Sequence, residues 1–444
     1  MTVPRTICIG FLTLIAIGTV LLMLPVSVAA GGWNDIVTAV FTATSAVCVT
    51  GLIVVDTGSY YSGFGELVIL LLIQVGGLGY MTATTILLLI LGRRFGLREK
   101  LAIQKSLDVA QISGAVQLVK SIVSLTLLFE ITGTLLLFPI FSEDYSGLYG
   151  LWLSVFHSIS AFNNAGFSLF EDSLIGYATH PGINIVIPAL IIIGGLGYQT
   201  LMELYRGLVL RLKGKQTCIV FSLNFKIVTS TTLFLLVAGT LAFWVIEYAN
   251  PQTLGALSGT DKLAVAWFHA VMPRTAGFNS VNYGDMTTAA LFLTIALMYV
   301  GASPGSTGGG IKTTTLRILL SSTKAVLQSK EEVLCYRRQI PMTLIIRAVG
   351  VVFGSGMTIV IVTMLIALTN PTMEFIDILF ESVSAFATVG LSTGITASLS
   401  TVGKLVIVVT MYVGRVGVLL MMSAILGDSK PSVINYPEEN LIVG

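Results

Sequence analysis

Charge is scarce in this chain. Of its 444 residues, 24 are Lys or Arg and 22 are Asp or Glu, 10% in all against 55% apolar, where a soluble globular chain averages about a quarter charged. A solvated globular or disordered protein is excluded, and a formal charge of +2 leaves no basic excess for nucleic acid. Cysteine is equally thin. Cys8, Cys48, Cys218 and Cys335 stand apart with no C-x-x-C pair, so neither a disulfide framework nor a zinc site is indicated, and all four read as small packing residues. Paired intramembrane carboxylates and H-E-x-x-H are absent too, and a membrane protease or lipid transferase would need such groups. The expectation is a chain that is not an enzyme and holds no organic cofactor.

Apolar runs, by contrast, are plentiful. They recur near residues 6–24, 64–91, 119–141, 184–210, 222–248, 286–300, 342–368 and 401–426, and about 20 apolar residues cross a bilayer core. An all-α membrane protein with eight transmembrane helices is predicted. The first run reads as a true span, because no small-residue cleavage pattern precedes Trp33 and Pro25 ends the helix. Alternate connections differ in charge. Residues 92–105 carry Arg93, Arg94, Arg98, Lys100 and Lys105; 206–215 and 312–338 are also basic; Glu143, Asp144, Glu171 and Asp172 mark the acidic kind. By the positive-inside rule the basic set and both termini are cytoplasmic. With no eukaryotic targeting segment, a multi-pass protein of a bacterial plasma (inner) membrane is expected.

The two helices of each pair are separated by a semi-polar segment: FTATSAVCVTGL, FHSISAFNNAGF, WFHAVMPRTAGF and FESVSAFATVGL. In each, an aromatic residue precedes a glycine by ten positions, giving Gly51, Gly166, Gly277 and Gly390 at intervals of 115, 111 and 113 residues. Four tandem repeats follow, 1–100, 101–215, 216–330 and 331–444, each an outer helix, a pore loop and an inner helix. A second glycine register on the inner helices, Gly76, Gly194, Gly301 and Gly414, follows the first by 25, 28, 24 and 24 residues.

A segment too short to cross and return as helix must be extended backbone at membrane depth, which survives only where it lines a cavity or is buried. Four copies around a pseudo-fourfold axis bring their carbonyls together, and helix C-termini aimed there favour cations. The predicted ion ligands are backbone carbonyls of Thr50, Gly51, Ala165, Gly166, Ala276, Gly277, Val389 and Gly390, flanked by Val49, Asn164, Thr275 and Thr388. The third inner helix is interrupted by GASPGSTGGGIKTTT, residues 301–315, with five glycines and Pro304 within ten positions. This loop reads as a gate below the filter, formed by Gly305, Ser306, Thr307, Gly308, Gly309, Gly310 and Lys312, with the Ser303, Ser306 and Thr307 hydroxyls facing water. A phosphate loop is rejected, since Ile311 displaces Lys312 by one and no strand precedes it. Arg415, alone in an apolar helix, is expected to hold the loop closed through its carbonyls or hydroxyls. Glu130 reads as a packing or hydrogen-bonding group, His157 and His269 as pore-helix packing, and His180 as an exposed loop residue. Arg274, three residues before Gly277, has no cationic counterpart in the other copies.

At AVCVTGL, NNAGF, RTAGF, TVGLSTG, the 301–315 loop, GRVG at 414–417 and the PEENLIVG ending, the chain resembles the Trk/Ktr/HKT superfamily of potassium transporters, most closely its Ktr-type membrane subunits. The resemblance implies potassium (K+) uptake through a filter with one glycine per repeat, assisted by sodium (Na+), in a homodimer with one pore per chain set in membrane lipid. It maps the family's intramembrane gating loop onto 302–311 and its gate arginine onto Arg415. It also implies a cytosolic ring of nucleotide-binding RCK regulatory subunits (KtrA-like), since this chain has no G-x-G-x-x-G after a strand. Glycine rather than serine at position 51 goes with potassium, while Cys48 and Val49 depart from the more usual small polar residues. A sodium-selective or unselective cation uniporter is the competing reading.

Overall fold

The computed structural model describes residues 2–79, 115–213 and 220–427. The basic segment 92–105, Lys215, Cys218 and the PEENLIVG ending lie outside the described residues. The first repeat runs through α1 (Val3–Met23), α2 (Ile36–Cys48), a short turn α3 (Thr57–Tyr60) and α4 (Gly63–Leu78). The second comprises α5 (Ala115–Asp144), α6 (Gly147–Phe162), α7 (Pro181–Gly195) and α8 (Tyr198–Leu212). The third comprises α9 (Leu223–Glu247), α10 (Gly259–Val271), α11 (Thr288–Tyr299) and α12 (Thr313–Leu327). A two-stranded hairpin, β1 (Leu334–Cys335) and β2 (Arg338–Gln339), leads into α13 (Met342–Thr369), α14 (Phe375–Ala387), α15 (Thr401–Val416) and α16 (Val418–Leu426).

Polar side chains placed just before the apolar runs start many of these helices. Asp35 accepts from the Val37 and Thr38 amides at 3.0 and 3.1 Å, and Ser62, Ser222, Ser258, Thr287 and Ser400 cap α4, α9, α10, α11 and α15 in the same way, each satisfying donors that the helix cannot. His180 caps α7 through Nδ1, 3.1 Å from the Gly182 amide, and is half-buried rather than an exposed loop residue.

Burial is arranged for lipid. The outer helices α1, α5, α9 and α13 each contain a stretch long and apolar enough to cross a membrane, and they turn large apolar side chains outward, Leu135 at 68% and Phe353 at 73% exposure. Exposed apolar faces on this scale are stable only against other apolar matter. The short pore helices α2, α6, α10 and α14 lie inside this jacket with their last turns buried.

Where the sequence reading expects eight spans with only the third inner helix interrupted, two further inner helices are bent. α7 and α8 meet at 106°, α15 and α16 at 93°, so the runs 184–210 and 401–426 are each two helices. The breaks fall at Gly197 and Gly417, both at φ 86°, a conformation that a Cβ disfavours. α11 stops at Tyr299, 12 residues long, and the described part of the first inner helix stops at Leu78.

Candidate functional site

The chain leaves its four pore helices by a common route. Val49, Asn164, Thr275 and Thr388 take φ of 56°, 58°, 64° and 51°, and two residues later Gly51, Gly166, Gly277 and Gly390 take 90°, 71°, 75° and 92°. A left-handed non-glycine residue costs about 1–2 kcal/mol, so four at one register are held there by their surroundings. In three copies the next amide closes the helix end: Thr50, Ala165 and Val389 donate to the carbonyls of Ser45, Ser160 and Ser384 at 2.8, 2.7 and 2.8 Å. In the third, Ala276 bonds instead to Met272 at 3.0 Å.

These segments meet in a ring. A Cβ on Gly51 would strike the carbonyl oxygen of Ala165; on Gly166, that of Ala276 at 2.8 Å; on Gly277, that of Val389 at 2.8 Å; on Gly390, that of Thr50. The contacts run through the repeats in order and close on the first. No side chain separates neighbouring segments, so the rim is peptide backbone, and the C-terminal ends of four pore helices add partial negative charge beside it. A ring of carbonyl oxygens of this kind can replace the hydration shell of a monovalent cation. On one side of the ring a cavity of about 380 Å³ is lined by all four glycines and carries Asp56, Glu171 and Asp172 on its wall, a field that draws cations inward. Among the described residues no group of His, Cys, Asp and Glu is placed to hold a metal ion.

The other side is occupied by the loop of the third repeat. A Cβ on Gly308 would strike Thr275 Oγ1, one on Gly309 would strike Thr388 Oγ1, and one on Gly310 would lie 3.3 Å from Ala387 Cβ. The loop therefore packs directly against the residues that precede the ring. Thr307 Oγ1 donates to Asn164 Oδ1 at 3.3 Å, and its outer edge is pinned by Ser303 N to Gly195 O at 3.1 Å and Tyr198 N to Gly305 O at 3.0 Å. The bend at Gly197 is what brings Tyr198 there. Ser303 and Thr307 are fully buried in these contacts, which corrects the expectation that their hydroxyls face water.

Three cations reach the loop. The Arg415 guanidinium donates to Thr307 O and to Gly76 O. Lys312 Nζ lies 2.8 Å from Gly308 O and 3.4 Å from Gly309 O, and Arg274 NH2 lies 3.4 Å from Gly301 O. Gly301, Ser303 and Gly305 also spell G-x-S-x-G, a serine-hydrolase motif that the sequence reading passed over. It has no hydrolase context: the loop joins two helices, Ser303 Oγ accepts from Thr313 Oγ1 at 3.1 Å, and all three histidines are engaged elsewhere. His157 contacts Leu153 O at 2.8 Å and Ser168 Oγ at 3.0 Å, and His269 contacts Tyr283 OH at 2.9 Å and Ser280 Oγ at 3.2 Å.

The second glycine register has a packing role in three repeats. A Cβ on Gly76, Gly194 or Gly414 would strike the carbonyl of Val47, Phe162 or Phe386, in each case four residues before the ring glycine. Glu130 is buried and accepts from Gln74 Nε2 at 3.3 Å and Asn163 Nδ2 at 3.0 Å. Sequence reasoning missed this network, since Gln74 carries no motif and Asn163 lies in NNAGF beside the residue that sets the turn, and it missed the two bends, although the closely spaced glycines of GGLG and GRVG could have marked them.

Comparison with known proteins agrees with the geometry. The cation transport protein family TrkH matches residues 10–429. The chain is 41% identical to the Ktr system potassium uptake protein B of Bacillus subtilis (strain 168), over 100% of this chain and 97% of that protein. It is 36% identical to the protein of the same name from Vibrio alginolyticus, over 99% and 95%, and 36% identical to the potassium/sodium uptake protein NtpJ of Enterococcus hirae, over 99% and 97%. The crystal structure of the potassium transporter TrkH from Vibrio parahaemolyticus superposes with a TM-score of 0.73, covering 94% of this chain and 84% of that one at 18% identity, a likeness of fold.

Proposed function

Since the chain belongs to the TrkH family of cation transport proteins, we propose that it takes up potassium across a bacterial plasma membrane, with the glycine ring as its selectivity filter. The observation that carries this is the closed cycle of contacts from Gly51 through Gly390 to Thr50, together with the potassium uptake named for two full-length relatives. The ion ligands are the carbonyls of Thr50, Gly51, Ala165, Gly166, Ala276, Gly277, Val389 and Gly390, with Val49, Asn164, Thr275 and Thr388 setting the turn.

The gate is the loop from Gly305 through Ser306, Thr307, Gly308, Gly309 and Gly310 to Lys312, held against the ring by Arg415. Because Arg415 and Lys312 both donate to loop carbonyls, the closed loop presents positive charge to the ion path. Opening breaks those bonds. Inward flux needs no further energy source than the membrane potential, worth about 2.3 kcal/mol per charge per 100 mV.

Sodium assists uptake in this reading. The chain works as a homodimer with both termini cytoplasmic, together with an RCK-type nucleotide-binding subunit, as the word "system" in the relatives' names suits. The repeats divide at 1–100, 101–215, 216–330 and 331–444. A less selective monovalent cation pathway is the second reading, favoured by the potassium/sodium uptake named for the Enterococcus relative.

The test is rubidium or potassium uptake in cells lacking their own potassium systems, expressing the chain with an RCK partner, with and without sodium, beside Gly51→Ser. Rescue of growth at low potassium, with selectivity lost in Gly51→Ser, is expected. Equal uptake of sodium and potassium by the unaltered chain would favour the second reading instead.

A further inference from the structure

The third filter segment is supported differently from the other three. In repeats one, two and four, the inner-helix glycine presses on the carbonyl four residues before the ring glycine: Gly76 on Val47, Gly194 on Phe162, Gly414 on Phe386. This is backbone against backbone, with nothing to adjust. In repeat three the corresponding position is Pro273, the pore helix ends early at Val271, and Gly301 faces the loop carbonyl of Gly309 instead. The support that three segments receive is missing from the segment beside the gate.

Arg274 occupies that place. It is 7% exposed, its NH2 lies 3.4 Å from Gly301 O at the root of the loop, and its own carbonyl accepts from Asn164 Nδ2 at 3.2 Å. Asn164 in turn takes the Thr307 hydroxyl on Oδ1. The side chain thus spans from the third segment to the fixed end of α11, where the loop begins. It does not line the cavity that carries Asp56 and Glu171.

We propose that Arg274 is a positioning residue for selectivity: it anchors the third filter segment to the root of the loop at Gly301, in place of the glycine–carbonyl contact of the other repeats, so that the loop beyond Gly301 moves without disturbing the ring. A loop that must swing cannot also be a rigid backbone support. A long side chain attached at the pivot supports the segment in both positions of the loop.

This rests on the ring being the filter, and the test separates the two. Rubidium and sodium uptake are compared in cells expressing the full chain with its RCK partner, for Arg274→Gln, Arg274→Lys, Arg415→Gln, Arg274→Gln with Arg415→Gln, and Gly277→Ala. Arg274→Gln is expected to lower the rubidium-to-sodium ratio about tenfold, Arg274→Lys several-fold, and Arg415→Gln alone not at all. The double variant loses more selectivity than Arg274→Gln, because the open loop no longer backs the segment. If Arg274→Gln fails to reach the membrane, the Arg274→Lys ratio decides, and a wild-type ratio there overturns the proposal. An unchanged ratio in well-expressed Arg274→Gln, with or without increased flux, also overturns it. An unchanged ratio in well-expressed Gly277→Ala overturns the filter reading itself.

Discussion

The two sides of the glycine ring obey different rules. Above and within it, four repeats contribute alike: a left-handed residue, one further residue and a positive-φ glycine, each against the next repeat's carbonyl. Below it, one repeat contributes a loop and the others contribute what holds that loop: Gly195 and Tyr198 from the second, Arg415 from the fourth, Gly76 through its bond to Arg415 from the first. The ring is backbone alone, whereas the layer beneath is held by backbone bonds from the second repeat and by the Arg415 side chain from the fourth. On the proposed reading of the ring as filter and the loop as gate, the contrast follows from what each must do. Equal coordination of an ion on an axis requires equal geometry from every repeat, whereas a pathway that closes needs an element that moves, and one moving element breaks the symmetry.

Substitutions in the ring break this comparison most severely. Gly277→Ala places a Cβ 2.8 Å from Val389 O and 2.9 Å from Gly166 Cα, where no flexible side chain can yield, and adds left-handed strain of about 1–2 kcal/mol. Potassium uptake should fall to near background, or continue with potassium-over-sodium selectivity lost, in protein that still reaches the membrane, as ion-competition uptake would show. Arg415→Gln acts on the lower layer alone. Two bonds from a charged donor, each worth about 1.5–3 kcal/mol, hold the closed loop, so their loss should raise flux about tenfold or more, the factor that ~1.4 kcal/mol makes. Selectivity in that variant should be unchanged, and lower flux at normal expression would argue that the arginine does not restrain the loop.

Smaller effects sharpen the boundary between the two layers. Gly417→Ala meets open space but keeps φ 86°, so only the bend is strained, by about 1–2 kcal/mol. A thermal midpoint a few degrees lower, with a flux change below that of Arg415→Gln, is expected from a fluorescence melting scan and uptake run together. Glu130→Gln should matter least. One carboxylate oxygen accepts from Gln74 and the other from Asn163; the Gln amide keeps one of these bonds and turns an N–H toward the other donor, so uptake within about twofold of the wild type would mark it as structural. Loss of uptake would make it part of the ion path.

Much of the upper layer is legible in the sequence, because symmetry repeats the signal. An aromatic residue ten positions before a glycine, four times over, locates Gly51, Gly166, Gly277 and Gly390, and these are the residues that meet in space. The lower layer is legible only in part. Five glycines and Pro304 announce an irregular loop at 301–310 and a lone Arg415 announces a buried cation, but neither states that Thr275 and Thr388 face the loop or that Ser303 and Thr307 are buried against it. Such contacts join residues far apart in the chain, from Thr275 and Gly308 to Thr307 and Asn164, 143 positions apart, and no local pattern encodes them. The bends at Gly197 and Gly417 were hidden for another reason. Hydropathy runs unbroken through GGLGYQT and GRVGVLL, so an apolar window reads one helix where φ 86° at a single residue makes two.

The central claim, that the four-glycine ring is where the transported ion is coordinated, is tested most directly by locating rubidium by anomalous scattering in crystals of the full chain. The account predicts rubidium on the axis beside the carbonyls of Thr50, Ala165, Ala276 and Val389, and its loss from there in Gly277→Ala. Rubidium bound elsewhere in the molecule, with the ring empty in the unaltered chain, would contradict it.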